Sequence, residues 1–246
     1  MLNNQPIEKV IREFDGFYQV HSIFETIQGE GPFCGTPCVF LRLAGCNLNC
    51  PLCDTDYTSS RTKMNLSQIM HWMTDLQQKP GLVVVTGGEP FRQPIGPLLD
   101  SLTEHGYYVQ VETNGTLPPP KLTGRNANYQ RDVPSRMTDR KGVYVVCSPK
   151  TGYVHPDTVA RACCFKYVVS WSDIDTADGL PTQALNHVAN PKLARPPKGW
   201  DLPIYLQPAD HKDDFENAKN TCVALASCIK FGYTLQLQIH KLLGLP

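Results

Sequence analysis

The chain has 246 residues, 23 acidic and 23 basic side chains, a formal net charge of zero and 41% apolar residues. That length suits one α/β domain with its own core and is short for a complete eight-unit barrel. Balanced charge with no block of like sign leaves no electrostatic footprint for nucleic acid or an anionic membrane.

The N-terminus has no basic-then-apolar leader and no apolar run could span a bilayer, so a soluble, cytoplasmic protein is expected. Ten cysteines then read as thiols in a reducing compartment. A disulfide scaffold belongs to small secreted chains, and the adjacent pair Cys163-Cys164 is awkward to bridge.

Tyr18 to Phe24 alternates as a strand would and runs into Glu25-Thr26-Ile27-Gln28-Gly29-Glu30-Gly31-Pro32, where two glycines and a proline force a turn. Taken alone, that segment reads as a surface loop. Thr36 to Leu43 is the first full strand and carries Arg42, ordinarily a salt-bridge residue but beside a cavity a bidentate carboxylate clamp. It delivers Gly45-Cys46-Asn47-Leu48-Asn49-Cys50-Pro51-Leu52-Cys53-Asp54-Thr55, with cysteines spaced C-x3-C-x2-C. Three thiolates on one loop can each ligate an iron of a cubane 4Fe–4S cluster and leave the last iron uncapped. The other readings are a zinc knuckle or buried structural thiols; a zinc site would want a fourth Cys or His at short spacing, and none is close by.

Asn65-Leu66-Ser67-Gln68 has the form of a helix start, and Leu66, Ile69, Met70, Met73 and Leu76 make one helical stripe ended by Pro80-Gly81. Leu82 to Val85 is continuously apolar, as a parallel strand covered on both faces should be, and ends in Thr86-Gly87-Gly88-Glu89-Pro90. A second helix carries Ile95, Leu98, Leu99 and Leu102, and a strand from Tyr107 to Val111 ends in Glu112-Thr113-Asn114-Gly115-Thr116. Residues 117–142, proline-rich and then polar, interrupt the βαβ rhythm as an excursion on the rim of a single domain spanning 1–246.

Val143 to Cys147 resumes the rhythm and leads into Ser148-Pro149-Lys150; Cys164 to Val169 and Pro203 to Pro208 are further strands. A short helix is expected near residues 182–189. A longer one spans about 213–229, with Phe215, Ala218, Cys222, Leu225 and Ile229 turned inward. In parallel α/β folds ligands sit outside the carboxyl ends of the strands, so the polar clusters that follow each strand should share one rim.

Together these motifs, with Leu206-Gln207-Pro208 and Gln238-Ile239-His240-Lys241, resemble the 7-carboxy-7-deazaguanine synthases, queuosine-pathway members of the radical S-adenosylmethionine (SAM) superfamily. The resemblance covers most of the chain outside residues 1–17 and 117–142. It implies a partial α/β barrel of parallel strands in which Cys46, Cys50 and Cys53 hold a 4Fe–4S cluster. SAM then chelates the uncapped iron and is cleaved to a 5′-deoxyadenosyl radical, and Thr55 contacts Mg²⁺. Leu52, Cys53, Asp54, Gly88, Ser148, Pro149 and Lys150 match SAM-binding positions. Ile27, Gln28, Gly29, Arg42 and Thr86 match pterin-binding positions; Glu112, His240 and the terminal Pro246 are further substrate contacts.

The implied reaction is ring contraction of 6-carboxy-5,6,7,8-tetrahydropterin to 7-carboxy-7-deazaguanine with loss of ammonia. It would be fed by an electron donor such as flavodoxin or ferredoxin, in a homodimer. Pro51-Leu52 departs from the aromatic that many relatives place before the last cluster cysteine, and the proline-rich insertion is not part of the family pattern. The rival readings are a glycyl-radical-activating enzyme, which shares the cysteine spacing, and a non-enzymatic iron–sulfur or zinc module.

Overall fold

The computed structural model describes residues 3–76, 81–125, 127–134, 141–187 and 192–245. The apolar runs become strands of one sheet: β1 (Phe17–Ile27), β2 (Pro37–Leu43), β3 (Thr62–Asn65), β4 (Leu82–Gly87), β5 (Tyr108–Thr113), β6 (Val143–Cys147), β7 (Ala162–Val169), β8 (Ile204–Pro208) and β9 (Thr234–Leu235). Among the described residues their order is β3-β1-β2-β4-β5-β6-β7-β8-β9. β1 runs antiparallel to both neighbours, and every pairing from β2 to β9 is parallel. Helices α1 (Leu66–Leu76), α2 (Gly96–Glu104), α3 (Pro156–Arg161), α4 (Asp214–Phe231) and α5 (Ile239–Leu242) supply the connections.

Alternation along the strands divides the core into an outer and a concave side, and a further cluster sets Phe165, Tyr167, Val169 and Leu206 against Ala224 and Cys228 of α4. Val39, Leu41, Val83, Val85, Val109, Val111, Val143 and Val145 face outward onto Ile69 and Met73 of α1 and Leu98, Leu99 and Leu102 of α2. The intervening residues Phe40, Leu82, Val84, Tyr108, Tyr144, Val146 and Cys164 line the concave side with Phe33. Each fully buried Val or Leu stabilises the fold by roughly 1.5–3 kcal/mol relative to exposure. Because both faces are covered, Leu82 to Val85 shows no polar position.

The segment after β9 is tied to the loop that follows β1, which lies across the concave side against β5, β6 and β7. Gln236, just past β9, accepts the Gly31 N–H at 2.5 Å and donates to the Gly31 carbonyl at 3.0 Å, and Gln238 donates to Glu30 at 2.5 Å. Among the described residues the edge strands β3 and β9 do not pair, which leaves the partial barrel expected from the sequence.

Some elements differ from the expectations. Residues 182–187 are not helical: Ala184 bridges His187 and Leu185 and Asn186 have φ of 52° and 55°, while residues 188 and 189 lie outside the described set. α4 is rotated relative to its apolar stripe. Phe215, Ala218, Cys222, Leu225 and Ile229 are all exposed, and Asn220, Ala224, Ser227 and Cys228 face the sheet. The turn is set by Asn220, which donates to the Ala209 carbonyl at 2.8 Å and accepts from the Trp171 N–H at 2.9 Å. The described part of 117–142 packs Leu117, Leu122 and Tyr129 onto the outer core and ties Thr123 to Asp100 on α2, so it carries a small apolar face of its own. No helix of the described residues is long and apolar enough to cross a membrane.

Candidate active site

The polar clusters at the strand ends are joined by a chain of hydrogen bonds. Gly88 N–H donates to the Leu43 carbonyl at 3.1 Å and Glu89 N–H to the Gly45 carbonyl at 3.0 Å, so the glycine turn after β4 lies on the start of the cysteine loop. Cβ atoms at Gly87 and Gly88 would overlap the backbone of Leu43 and Gly45, which is why two glycines stand there. The Glu89 carboxylate reaches the next cluster, accepting from Thr113 Oγ1 and Asn114 N–H, both at 2.8 Å, and from Phe91 N–H at 3.0 Å. Asn114 Nδ2 donates to Asn47 of the cysteine loop at 2.9 Å, and Ser148 N–H to the Thr113 carbonyl at 2.8 Å. All four clusters therefore share one rim.

Cys46 and Cys50 are buried and Cys53 half-buried. Burial pushes the Cys46 thiol up to about 12, helped by the nearby Glu89 carboxylate and the other two cysteines, and Cys50 up to about 11 against the pull of Lys150. Cys53 is raised for the same reason. Three thiols in a dry loop, whose thiolates would repel one another, deprotonate only where a metal centre stabilises thiolate sulfur, and an all-sulfur donor set of three suits an iron–sulfur cluster. Among the described residues no group of His, Cys, Asp or Glu is gathered round a single metal ion; a cubane asks for less, since each thiolate takes a different iron. The residues fit the cluster.

Glu89 is fully buried, and desolvation pushes its carboxyl up to about 7 in spite of its three donors. A group so placed favours a cation brought to it. Lys150 donates to Ser148 Oγ at 2.6 Å and to the Ser148 carbonyl at 2.9 Å, and burial holds its ammonium below the usual lysine range. Pro149 is buried beside it. Leu52 donates its N–H to Leu185 at 3.1 Å and lines a small cleft with Val168, Ser170, Leu185 and Ala209.

Deeper in the barrel, Arg42, Thr86, Glu112 and Lys166 continue the concave faces of β2, β4, β5 and β7, two residues beyond Phe40, Val84, Gln110 and Cys164. Arg42 lies beside Thr86 in register, with its guanidinium carbon 5.0 Å from the centre of the Phe24 ring, and it donates to no acceptor among the described residues. Glu112 accepts from Lys166 at 2.8 Å and from Gln110 at 2.5 Å, and Lys166 also pairs with Glu30. Gln28 is 1% exposed, its Nε2 lacking a partner among the described residues. Gly29 carries no Cβ because the His240 ring occupies that space, and His240 Nδ1 is likewise buried without a partner among the described residues. Burial holds His240 below its usual 6.5.

The remaining positions lie farther out. Ile27 is half-buried at the end of β1; Asp54 is exposed and paired with Lys241 at 2.9 Å; Thr55 Oγ1 donates to Asp54 at 3.4 Å. Pro246 lies outside the described residues.

Several residues were not singled out from the sequence. Lys166 ties Glu30 to Glu112 at the centre of the barrel, and a lone lysine in the apolar run Cys164 to Val169 was the available signal. Gln207, quoted in a motif of the sequence without a role, is 5% exposed and faces the same interior, its Oε1 without a partner among the described residues. The N-terminal segment braces the cysteine loop through Asn3 to the Cys50 carbonyl at 3.1 Å and Glu8 N–H to the Cys46 carbonyl at 2.7 Å. Glu8 also meets Arg92, whose guanidinium holds the Ala44 carbonyl at 2.8 Å.

Residues 41–135 match the family model of the radical SAM superfamily. The chain is 40% identical over 236 residues to the 7-carboxy-7-deazaguanine synthase of Rhodospirillum rubrum, covering 91% of each chain. It is 33% identical over 256 residues to that of Rickettsia prowazekii, covering 100% of this chain and 96% of the relative. The crystal structure of QueE from Escherichia coli superposes with a TM-score of 0.66 at 25% identity, over 90% of this chain and 94% of that one. Similarity that runs through both chains nearly end to end, on a rim built around a three-cysteine loop, places this protein in the 7-carboxy-7-deazaguanine synthase family, whose members work by radical SAM catalysis in queuosine-type 7-deazaguanine biosynthesis.

Proposed function

We propose that the chain contracts the ring of 6-carboxy-5,6,7,8-tetrahydropterin to 7-carboxy-7-deazaguanine and ammonia. The atoms of the substrate equal those of the two products, so the reaction has no net oxidation. The observation that carries the reading is Arg42: a half-buried guanidinium with no acceptor among the described residues, held over Phe24 beside Thr86 on the concave wall. An unpaired fork of that kind is the partner of a planar carboxylate.

In this reading Cys46, Cys50 and Cys53 hold the 4Fe–4S cluster. Glu89 takes the methionine ammonium of SAM. Gly88 keeps the backbone close enough for that contact, and Ser148, Pro149 and Lys150 close the far side with Asp54. The cleft beside Leu52 receives the adenine on aliphatic surface in place of an aromatic. Bound there, cluster and SAM supply the one-electron cleavage that starts radical chemistry on the substrate, with the electron drawn from a flavodoxin- or ferredoxin-type donor.

Arg42 orients the 6-carboxylate. Gln28, Gly29, Glu112, His240 and Ile27 meet the heterocycle, whose donors and acceptors answer the unpartnered atoms of Gln28 and His240. Thr55 offers a hard oxygen to Mg²⁺, with the Asp54 carboxylate adjacent. Pro246 contributes its carboxylate to the pyrimidine edge.

Anaerobic incubation with 6-carboxytetrahydropterin, SAM, Mg²⁺ and a reductant, analysed by mass spectrometry, tests the assignment. Formation of 7-carboxy-7-deazaguanine is expected. SAM cleavage that leaves the pterin intact would point to another substrate, a glycyl-radical protein among them.

A further inference from the structure

A lysine interrupts the apolar run of β7, and its ammonium is turned to the concave side between two acids. The Lys166 side chain is 7% exposed, while those of Glu30 and Glu112 are 18% and 13% exposed, so the acids are the more open members of the cluster. A buried ion cluster is a weak way to stabilise a fold, because desolvation offsets most of the attraction and apolar side chains of similar volume would serve as well. The place of this one, on the wall of the barrel interior, points to function instead.

Separate parts of the chain meet at that ammonium. Glu112 stands on β5 two residues beyond Gln110, on the same face; Gln110 donates to its Oε1 at 2.5 Å and Lys166 to its Oε2 at 2.8 Å. Glu30 stands in the loop after β1, directly after Gln28 and Gly29; Gln238 donates to its Oε1 at 2.5 Å and Lys166 to its Oε2. A carboxylate accepts about four hydrogen bonds, so each acid keeps accepting capacity beyond these donors. The charge of Glu30 is felt at both Arg42 and His240, and the cluster thus borders the cavity that those two residues line.

We propose that Lys166 is a positioning residue for substrate binding: its one ammonium fixes the loop of Gln28 and Gly29 relative to the Glu112 carboxylate, so that both meet the N–H groups of the heterocycle at once, in the pterin site assigned above, on which this role rests. Without the ammonium two like charges would face each other, and one acid would take up a proton or swing away. With it, both acids stay ionised and aimed. Burial works against the charge of Lys166, but the two acids outweigh it and hold the ammonium well above the usual lysine range. The lysine itself is the most enclosed of the three and acts through the acids rather than on the substrate.

Steady-state kinetics of the reconstituted holoenzyme with 6-carboxytetrahydropterin, run beside thermal melts, test this. Lys166→Met raises the KM for the pterin about tenfold or more, while kcat at saturating pterin changes by less than about threefold, the split that follows when ground state and transition state lose the same contact. Lys166→Arg keeps a cation between the acids, and its KM falls between those of the wild type and Lys166→Met. The methionine variant strands two carboxylates, so the decisive protein is the double variant Lys166→Met/Glu30→Gln. It removes the repulsion between the acids, melts near the wild type and still shows the raised KM. A well-folded double variant with the wild-type KM, or a kcat that falls in Lys166→Met with KM unchanged, overturns the positioning role while the substrate assignment stands. A wild type that forms no product from the pterin overturns that assignment and the role with it.

Discussion

The Cα of Gly88 lies so close to the carbonyl oxygen of Gly45 that a Cβ at that position would overlap it. The turn that follows β4 and the loop that carries the three cysteines are thus in backbone contact, with no side chain between them. Gly88→Ala must push the two loops apart, and a displacement of about 1 Å in a reacting centre can cost on the order of a hundredfold in rate. Turnover is expected to fall by about that factor while iron content stays near wild type. Unchanged turnover would show that the close approach has no catalytic consequence.

Arg42 donates to nothing among the described residues, so removing it strands no buried partner there. Arg42→Ala is expected to fold normally and to raise the KM for the carboxylated pterin about tenfold to a hundredfold, the value of charge-assisted hydrogen bonds of about 1.5–3 kcal/mol. Arg42→Lys recovers part of the loss, because an ammonium lacks the planar fork. Steady-state kinetics read this out; equal KM values for the three proteins would remove Arg42 from the substrate site.

The strands and their rim were legible in the sequence because they obey short-range rules. Leu82 to Val85 and Val143 to Cys147 are apolar at every position, and each ends in a polar cluster. β3 was not legible: Thr-Lys-Met-Asn is short, half-polar and held only by its pairing with β1. α3 is six residues long and starts from a His155 cap rather than an apolar stripe. The face of α4 was misread because an apolar stripe predicts burial inside the chain, whereas here Asn220 and Ser227 face the sheet and two hydrogen bonds from Asn220 fix the turn. The tie from Gln236 and Gln238 to the loop after β1 joins residues about 205 positions apart in sequence, beyond the reach of any local pattern.

Lys166 is enclosed with two carboxylates, its side chain 7% exposed. Burial pushes Glu30 up, but the Lys166 ammonium and the Gln238 amide outweigh it and hold Glu30 at about 2, below its ordinary 4.5. Lys166→Met strands both carboxylates and is expected to cost about 3–5 kcal/mol of stability. A carboxyl with a depressed folded value stabilises above its unfolded value and loses that contribution as pH falls through the folded one. The gap between wild type and Lys166→Met should therefore be full above about pH 5 and narrow toward pH 2. Denaturant titrations at several pH values check this; a gap independent of pH would mean that the ion pairs carry none of it.

His240 also loses stability toward acid, but through burial rather than ion pairing. Its imidazole is held below 6.5, chiefly by burial, so below that pH the unfolded chain takes up a proton that the folded chain refuses. Stability is expected to decline as pH drops below 6.5, and His240→Gln should flatten that part of the profile. Thermal melts between pH 7.5 and 5 measure it. Identical slopes for the two proteins would show that His240 does not titrate differently on folding.

The cysteine loop is examined by reconstituting the protein anaerobically, assaying iron and acid-labile sulfide, and recording the electron paramagnetic resonance spectrum of the reduced protein with and without SAM. Iron and sulfide in equal amounts are expected, with a reduced-cluster signal that changes when SAM is added and that Cys50→Ala abolishes. Zinc without sulfide, or a cluster signal indifferent to both SAM and the loss of Cys50, would contradict a SAM-binding cluster seated on Cys46, Cys50 and Cys53.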